Sequence, residues 1–302
     1  MDAQTNINEL VKELRNRNIE LSFTNGKLKY SGPQENIDKE ILAGLKENKA
    51  RLIKYLWPDD CPNMMPINTE GSKVPLILLH AGEANYSLSE HLGKDQPFYG
   101  FFYIGSEGEN IRYKSIEAFA GEYVKQLRKI VPGGPYILGG FSMGGILAYE
   151  MAVQLDKMGE EVPGLVLVDC EIPLFRKDLR AGIKKKLRNV YDHFYYRGKH
   201  MLYQTLGLFN VDVPAGFRKQ YILWIYSRLM RKYKPGKGYD DHLLLFRTEA
   251  NDSPNRYLGW DNLVENIELI ELKGDHGLMY TDSGSISTLK EKISTLTEKI
   301  NS

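Results

Sequence analysis

Cysteine is scarce. Cys61 and Cys170 are the two in 302 residues, which builds no disulfide framework and matches no zinc-ligand spacing. Both thiols are expected to be reduced, and the expected location is cytoplasmic. Long apolar runs are also missing: nothing approaches the roughly 18 residues that a bilayer-spanning helix needs. The start, MDAQTNINEL, has no basic segment followed by an apolar one, so no secretory signal is read there. Net charge is nearly absent, since 40 Lys+Arg against 39 Asp+Glu leave +1. A chain coated for nucleic acid or an anionic membrane is thereby excluded, and neither is expected as a partner. Repeats and low-complexity tracts are absent too. What is present is a hydrophobic fraction of 42%, enough for a sizeable core. The length allows one large domain, or a large one with a small one.

Residues 1–57 read as a small unit. Ile7, Leu10, Val11 and Leu14 are spaced as on one helix face. Glu20-Leu21-Ser22-Phe23 and Leu28-Lys29-Tyr30 flank Thr24-Asn25-Gly26-Lys27, a hairpin whose Asn-Gly pair tolerates positive φ. A second helix is expected through Ile41, Leu42, Leu45, Leu52, Ile53 and Leu56, with Asp38 as its N-cap. Pro58, Pro62 and Pro66 break the pattern, so 58–73 reads as a linker. From 74 to 302 strands alternate with helices. Apolar strands are expected at 74–80, 97–102, 136–140, 165–168, 243–246 and 267–270, and helices at 115–131, 144–158 and 285–300. That alternation predicts an α/β fold with a mostly parallel sheet covered on both faces. Residues 173–237 interrupt it as a mainly helical insertion.

Gly140-Phe141-Ser142-Met143-Gly144 is a G-x-S-x-G pattern between an apolar strand and a helix. A serine on so sharp a turn projects its hydroxyl above the sheet, and the two glycines make room for neighbouring backbone. The helix N-terminus adds partial positive charge, and the Met143 N–H is placed to bind a developing oxyanion. Ser142 needs a base, and the base needs an acid to orient it. His276, in Lys273-Gly274-Asp275-His276-Gly277 after a late strand, is the candidate base. His80, at the end of the first core strand, reads as structural or as part of the oxyanion loop. Asp169 directly follows the strand 165–168 and is favoured as the acid over Asp252, which follows the next strand. The order Ser142, Asp169, His276 is that of α/β-hydrolases. A second oxyanion donor is expected from Ala81 or Gly82. No metal and no bound cofactor are called for.

These residues, together with Asp95-Gln96-Pro97-Phe98-Tyr99-Gly100, Gly134-Pro135-Tyr136-Ile137-Leu138-Gly139-Gly140, Ala148-Tyr149-Glu150-Met151-Ala152 and Leu258-Gly259-Trp260, resemble thioesterase domains of nonribosomal peptide and polyketide synthetases. The resemblance covers about residues 74–280. It implies an α/β-hydrolase domain at 74–302 with a helical lid at about 173–237, and a triad on Ser142, Asp169 and His276. It implies an acyl or peptidyl chain presented on the phosphopantetheine of a carrier protein and released by hydrolysis or cyclisation. The loop His80-Ala81-Gly82-Glu83-Ala84 is leaner in glycine than is usual in that family. Residues 1–57 resemble the N-terminal docking domain of the tubulysin-synthetase type. That implies a small α+β unit that takes a peptide of an upstream synthase module by strand addition, with homodimerisation as a further expectation.

The insertion changes the meaning of the small net charge. Residues 176–237 carry 16 basic residues against Asp178, Asp192 and Asp212, so this segment is near +13 and the remainder near −12. A basic lid would attract an acidic carrier, and salt would weaken that attraction. Its aromatics, Tyr191, Phe194, Tyr195, Tyr196, Phe209, Tyr221, Trp224 and Tyr226, either line an acyl pocket or pack the lid. Chain offloading is the favoured activity. The rival readings are an editing thioesterase, a carrier-independent esterase and a non-catalytic docking adaptor.

Overall fold

The apolar strands pair as their continuous hydrophobicity requires. The computed structural model describes residues 3–24, 27–49, 52, 56, 61, 63–82, 84–103, 113–172, 198, 215–236, 238–276 and 282–302. The central sheet has seven strands: β3 (Met64–Asn68), β4 (Leu76–Leu79), β5 (Phe98–Phe101), β6 (Ile137–Phe141), β7 (Gly164–Val168), β8 (His242–Thr248) and β9 (Ile267–Leu272). Their order is β3-β5-β4-β6-β7-β8-β9. All neighbouring pairs are parallel except β3 with β5. β4 to β7 are buried at every position, as expected for strands covered on both faces.

Helices α3 (Ala84–Leu92), α4 (Ile116–Ile130), α5 (Met143–Asp156) and α7 (Ser283–Asn301) cover the sheet. Two large apolar clusters form, one on each face. One joins Phe119, Tyr123, Leu147 and Trp260 to inward residues of the strands. The other joins Ile137, Phe141 and Phe246 to Leu289 and Ile293 of α7. Ser115 caps α4 by accepting from the Ala118 N–H at 3.2 Å, and Asp282 caps α7 by accepting from the Ser285 N–H at 2.7 Å. Nearly every residue of α5 is buried, so this helix runs through the core rather than along the surface.

At the N-terminus, α1 (Ala3–Asn16), the hairpin β1 (Glu20–Thr24) with β2 (Lys27–Ser31), and α2 (Lys39–Glu47) enclose their own small core of Ile7, Val11, Leu14, Ile19, Ile41, Leu45 and Leu52. Thr24 pairs with Lys27, the register of a two-residue turn, although Asn25 and Gly26 lie outside the described residues. Asp38 caps α2 at 2.8 Å from the Ile41 N–H. Leu28 packs against both this core and a cluster of the large sheet.

One expectation is corrected. Met64–Asn68, read as linker because of its prolines, is the antiparallel edge strand β3. Pro66 is tolerated because an edge strand leaves one side without a ladder partner, and the register shifts between Pro66 and Asn68. Of the insertion at 173–237, the structure describes α6 (Ala215–Lys232), Gly198, and residues 233–236. Tyr191, Phe194, Tyr195, Tyr196 and Phe209 lie outside the described residues.

Candidate active site

The site lies at the carboxyl ends of the parallel strands, where loops gather in open α/β sheets. Three non-glycine residues with positive φ stand immediately after strands there: His80 (φ 60) after β4, Ser142 (φ 53) after β6 and Asp169 (φ 45) after β7. Such backbone costs about 1–3 kcal/mol per residue and persists where the surroundings enforce it. At Ser142 the surroundings do so. The Ser142 N–H donates to Val168 O at 2.9 Å, and Ser142 O accepts from the Gly145 N–H at 3.0 Å. The glycines leave no space for alternatives. A Cβ on Gly145 would come within 2.8 Å of Cys170 Sγ, and one on Gly139 within 2.8 Å of Val166 O. Helix α5 starts directly after Ser142, so its N-terminal N–H groups, beginning with Met143, face the space above the sheet.

His276 follows β9. Its Nδ1 lies 2.6 Å from Asp169 Oδ2. Asp169 Oδ1 accepts from the Asn251 side chain at 2.9 Å and from the Thr248 N–H at 3.2 Å. Burial pushes the Asp169 carboxyl up, but the bonds from His276, Asn251 and Thr248 outweigh it and hold it below the usual carboxylate value. The same Asp169 hydrogen bond raises His276 above the ordinary imidazole value, against a smaller downward effect of burial. The Asp169 side chain is 3% exposed and that of His276 54%, so the carboxylate is enclosed while the imidazole reaches the opening. Because Nδ1–H donates to the carboxylate, Nε2 is left as the lone-pair nitrogen.

Ser142, Asp169 and His276 line a single cavity of about 400 Å³. Thr248, Asn251, Glu171 and Met230 of α6 line it as well, with Asp252 and Asp275. Asp252 thus shares the cavity, but the imidazole pairs with Asp169. Asn251 and Thr248 were not singled out from the sequence. Their part depends on how the end of β8 and the loop after it meet Asp169, and no local pattern announces that.

His80 is buried and stacks on Tyr103 with centroids 4.2 Å apart. Tyr123 Oη donates to Phe102 O at 2.9 Å, so His80 Nε2, 3.2 Å away, is the donor to that oxygen. Nδ1 is then the bare nitrogen, and it is buried without a partner. Burial pushes His80 down to about 3. It is held neutral, and the loop carrying Ala81 and Gly82 follows it directly. Ala81 is 2% exposed, and Gly82 has φ +54.

The insertion is pinned at both described ends. Glu150 of α5 accepts from Tyr233 Oη at 2.6 Å, and Tyr149 Oη donates to Gly236 O at 2.7 Å. At the other end, the Ile172 N–H donates to Leu258 O at 3.0 Å, and Trp260 Nε1 to Cys170 O at 2.6 Å. Trp224 and Tyr226 of α6 are buried, and Tyr226 belongs to the core cluster. Tyr226, with Leu229 and Tyr233, packs this part of the insertion on the body of the fold.

Comparison with known proteins bears on this geometry. Residues 75–205 match the family model "Thioesterase domain", and residues 7–57 match "TubC N-terminal docking domain". By these two matches the chain is similar to a thioesterase domain preceded by a TubC-type docking domain. Malpibaldin synthetase of Mortierella alpina is 37% identical over 115 residues, 37% of this chain and 2% of that protein. A dimodular nonribosomal peptide synthase of Bacillus subtilis is 38% identical over 110 residues, 35% of this chain and 5% of that protein. The chain therefore spans a small fraction of the length of these relatives. Among solved structures, the NocB thioesterase domain in covalent complex with a fluorophosphonate nocardicin G analog is 26% identical. The match covers 77% of this chain and 98% of that one, with a TM-score of 0.57. A four-domain nonribosomal peptide synthetase shares the fold at TM-score 0.61 and 23% identity, over 84% of this chain and 21% of that one. The large sheet and its helices have the α/β-hydrolase fold of these neighbours. Among the described residues, no helix is long and apolar enough to cross a membrane.

Proposed function

We propose that this chain releases an acyl or peptidyl chain from the phosphopantetheine thioester of a carrier protein during nonribosomal peptide or polyketide assembly. The observation that carries this reading is the His276–Asp169 bond of 2.6 Å beside Ser142, in one cavity and behind a strained elbow. In the proposed reaction His276 Nε2 takes the Ser142 proton as Oγ attacks the thioester carbonyl. The negative charge that builds on the carbonyl oxygen is held by the Met143 N–H and by a backbone N–H of Ala81 or Gly82. Collapse breaks the C–S bond, and His276 returns its proton to the departing pantetheine thiol. The acyl-Ser142 ester is then opened by water, or by a hydroxyl or amine of the chain itself, with His276 again as base. Asp169 keeps Nδ1 protonated and stabilises the imidazolium. Phosphopantetheine arrives as part of the substrate.

Residues 1–57 are proposed to recruit the upstream synthase module, with homodimerisation through the same unit. The basic insertion is proposed to attract the acidic carrier. The test is to incubate the full chain with an acyl-phosphopantetheinyl carrier and follow intact mass. An acyl adduct on the wild type that Ser142→Ala lacks is expected. No adduct and no release would refute the proposal. Equal turnover of free small esters, insensitive to salt and to removal of residues 1–57, would instead favour a carrier-independent esterase.

A further inference from the structure

Asn251, one of the two donors on Asp169, sits in a stretch after β8 that forms neither helix nor strand from 249 to 259. Irregular backbone leaves carbonyls that no ladder takes up, and other groups must satisfy them. Here one side chain does so for four of them. Arg247 belongs to β8, which is paired on both sides with β7 and β9. Its Nη1 donates to Asn255 O at 3.0 Å and to Arg256 O at 3.1 Å. Its Nη2 donates to Asn251 O and to Ser253 O, each at 2.9 Å. A planar guanidinium presents five N–H groups in fixed directions, whereas an ammonium is a point charge with three. The loop is thus gathered on a rigid fork that the sheet anchors.

The loop carries that constraint to the site. Asn251 Oδ1 accepts from the Ser253 N–H at 3.0 Å, which turns its Nδ2 towards Asp169 Oδ1 at 2.9 Å. Ser253 Oγ donates to Glu171, two residues beyond Asp169, at 2.6 Å. The other donor on Asp169, the Thr248 N–H, is held by the strand itself. Asn251 is therefore the donor whose place depends on the loop. Arg247 does not line the cavity.

We propose that Arg247 is a positioning residue for the triad. It fixes the loop 251–256, which holds the Asn251 amide on Asp169 and keeps the carboxylate aimed at His276. This rests on the thioesterase reading and adds to it a residue remote from the reacting atoms.

The test uses the intact chain and a fluorophosphonate, whose rate of reaction at Ser142 is read by mass and split into a saturating rate and a half-saturating concentration. Thermal melting reports the fold. Arg247→Met is expected to lower the saturating rate about 10- to 100-fold, the scale of a small misplacement of catalytic groups, with the half-saturating concentration unchanged. Arg247→Lys keeps the charge without the fork and is expected to regain little of the rate. Asn251→Ala is expected to lose a similar factor, and adding Arg247→Met to it to cost nothing more, because both act through one contact. Losses that multiply in the double variant would overturn the inference, as would full rescue by lysine. Wild-type rates in folded Arg247→Met would overturn it too and leave the thioesterase reading standing. If Arg247→Met does not fold, Arg247→Lys with Asn251→Ala completes the same cycle. A wild type whose Ser142 is not labelled would overturn the thioesterase reading, and this inference with it.

Discussion

Replacing Asp169 with asparagine changes one atom, yet it is predicted to cost about four orders of magnitude in acylation rate. The reason lies in how the two carboxylate oxygens are used. Oδ1 faces two donors, the Asn251 amide at 2.9 Å and the Thr248 N–H at 3.2 Å, while Oδ2 faces His276 Nδ1 at 2.6 Å. An asparagine must keep its oxygen towards the two donors. Flipping the amide would set NH₂ against N–H groups in a buried place and cost about 1–3 kcal/mol. The amide nitrogen therefore faces His276 and donates to Nδ1. That fixes the proton on Nε2, the nitrogen that must accept from Ser142. A base held in the wrong tautomer loses about 10⁴-fold in rate. The assay is rapid-quench mass spectrometry of acyl-Ser142 formation from a pantetheinyl thioester, with thermal melting to show that the fold persists. Wild-type acylation by Asp169→Asn would refute the reasoning. So would loss of acylation in Asp252→Asn with Asp169→Asn active.

Five further outcomes are expected. Acylation should rise with pH through a midpoint above the ordinary imidazole value of about 6.5, because the bond to Asp169 raises His276; a midpoint below 6.5 in a pH–rate profile would contradict this. The stabilising effect of the pair has its own window. For His276, raised on folding, it is complete below about pH 6.5 and lost as pH rises through the folded value. For Asp169, lowered on folding, it is present above about pH 3.9 and lost as pH falls through the folded value. Thermal melts should therefore respond to Asp169→Asn most between these limits. Gly145→Ala puts a methyl 2.8 Å from Cys170 Sγ and should destabilise by roughly 1–3 kcal/mol, read as a fall of several degrees in melting temperature. Tyr233→Phe strips the 2.6 Å bond from the buried Glu150 carboxylate and should cost about 1–3 kcal/mol in denaturant unfolding. Leu14→Ala empties the small N-terminal core, where Leu14 is 1% exposed, and should cost about 2–5 kcal/mol. It should weaken recruitment by the upstream module while small thioesters are still turned over.

The parts of this protein written in local pattern were readable without a structure. The G-x-S-x-G turn announces its strand and helix because the strain at Ser142 needs glycine on both sides. Asp38 and the hairpin around Asn25-Gly26 are legible for the same reason, since each rests on chemistry within four residues. β3 was missed because prolines normally forbid a strand, and an edge position, which excuses Pro66, is a property of the assembled sheet. The choice between Asp169 and Asp252 rested on strand order, and the structure brings both to one cavity while pairing His276 with Asp169. Asn251 and Thr248 escaped notice because the end of β8 and the loop after it meet Asp169 across about eighty residues of chain. The +13 segment was visible as a sum, yet the acid lining the cavity was not. Glu171, Asp252 and Asp275 are far apart in the chain and converge only where β7, β8 and β9 end.

The central claim is that Ser142 is a nucleophile activated by His276. The most direct measurement is peptide mapping of the intact chain after a brief exposure to a fluorophosphonate, a reagent that labels activated serines. One adduct is predicted, on Ser142, with labelling slowed by orders of magnitude in His276→Ala. A label on another residue, or equally fast labelling of Ser142 without the imidazole, would contradict it.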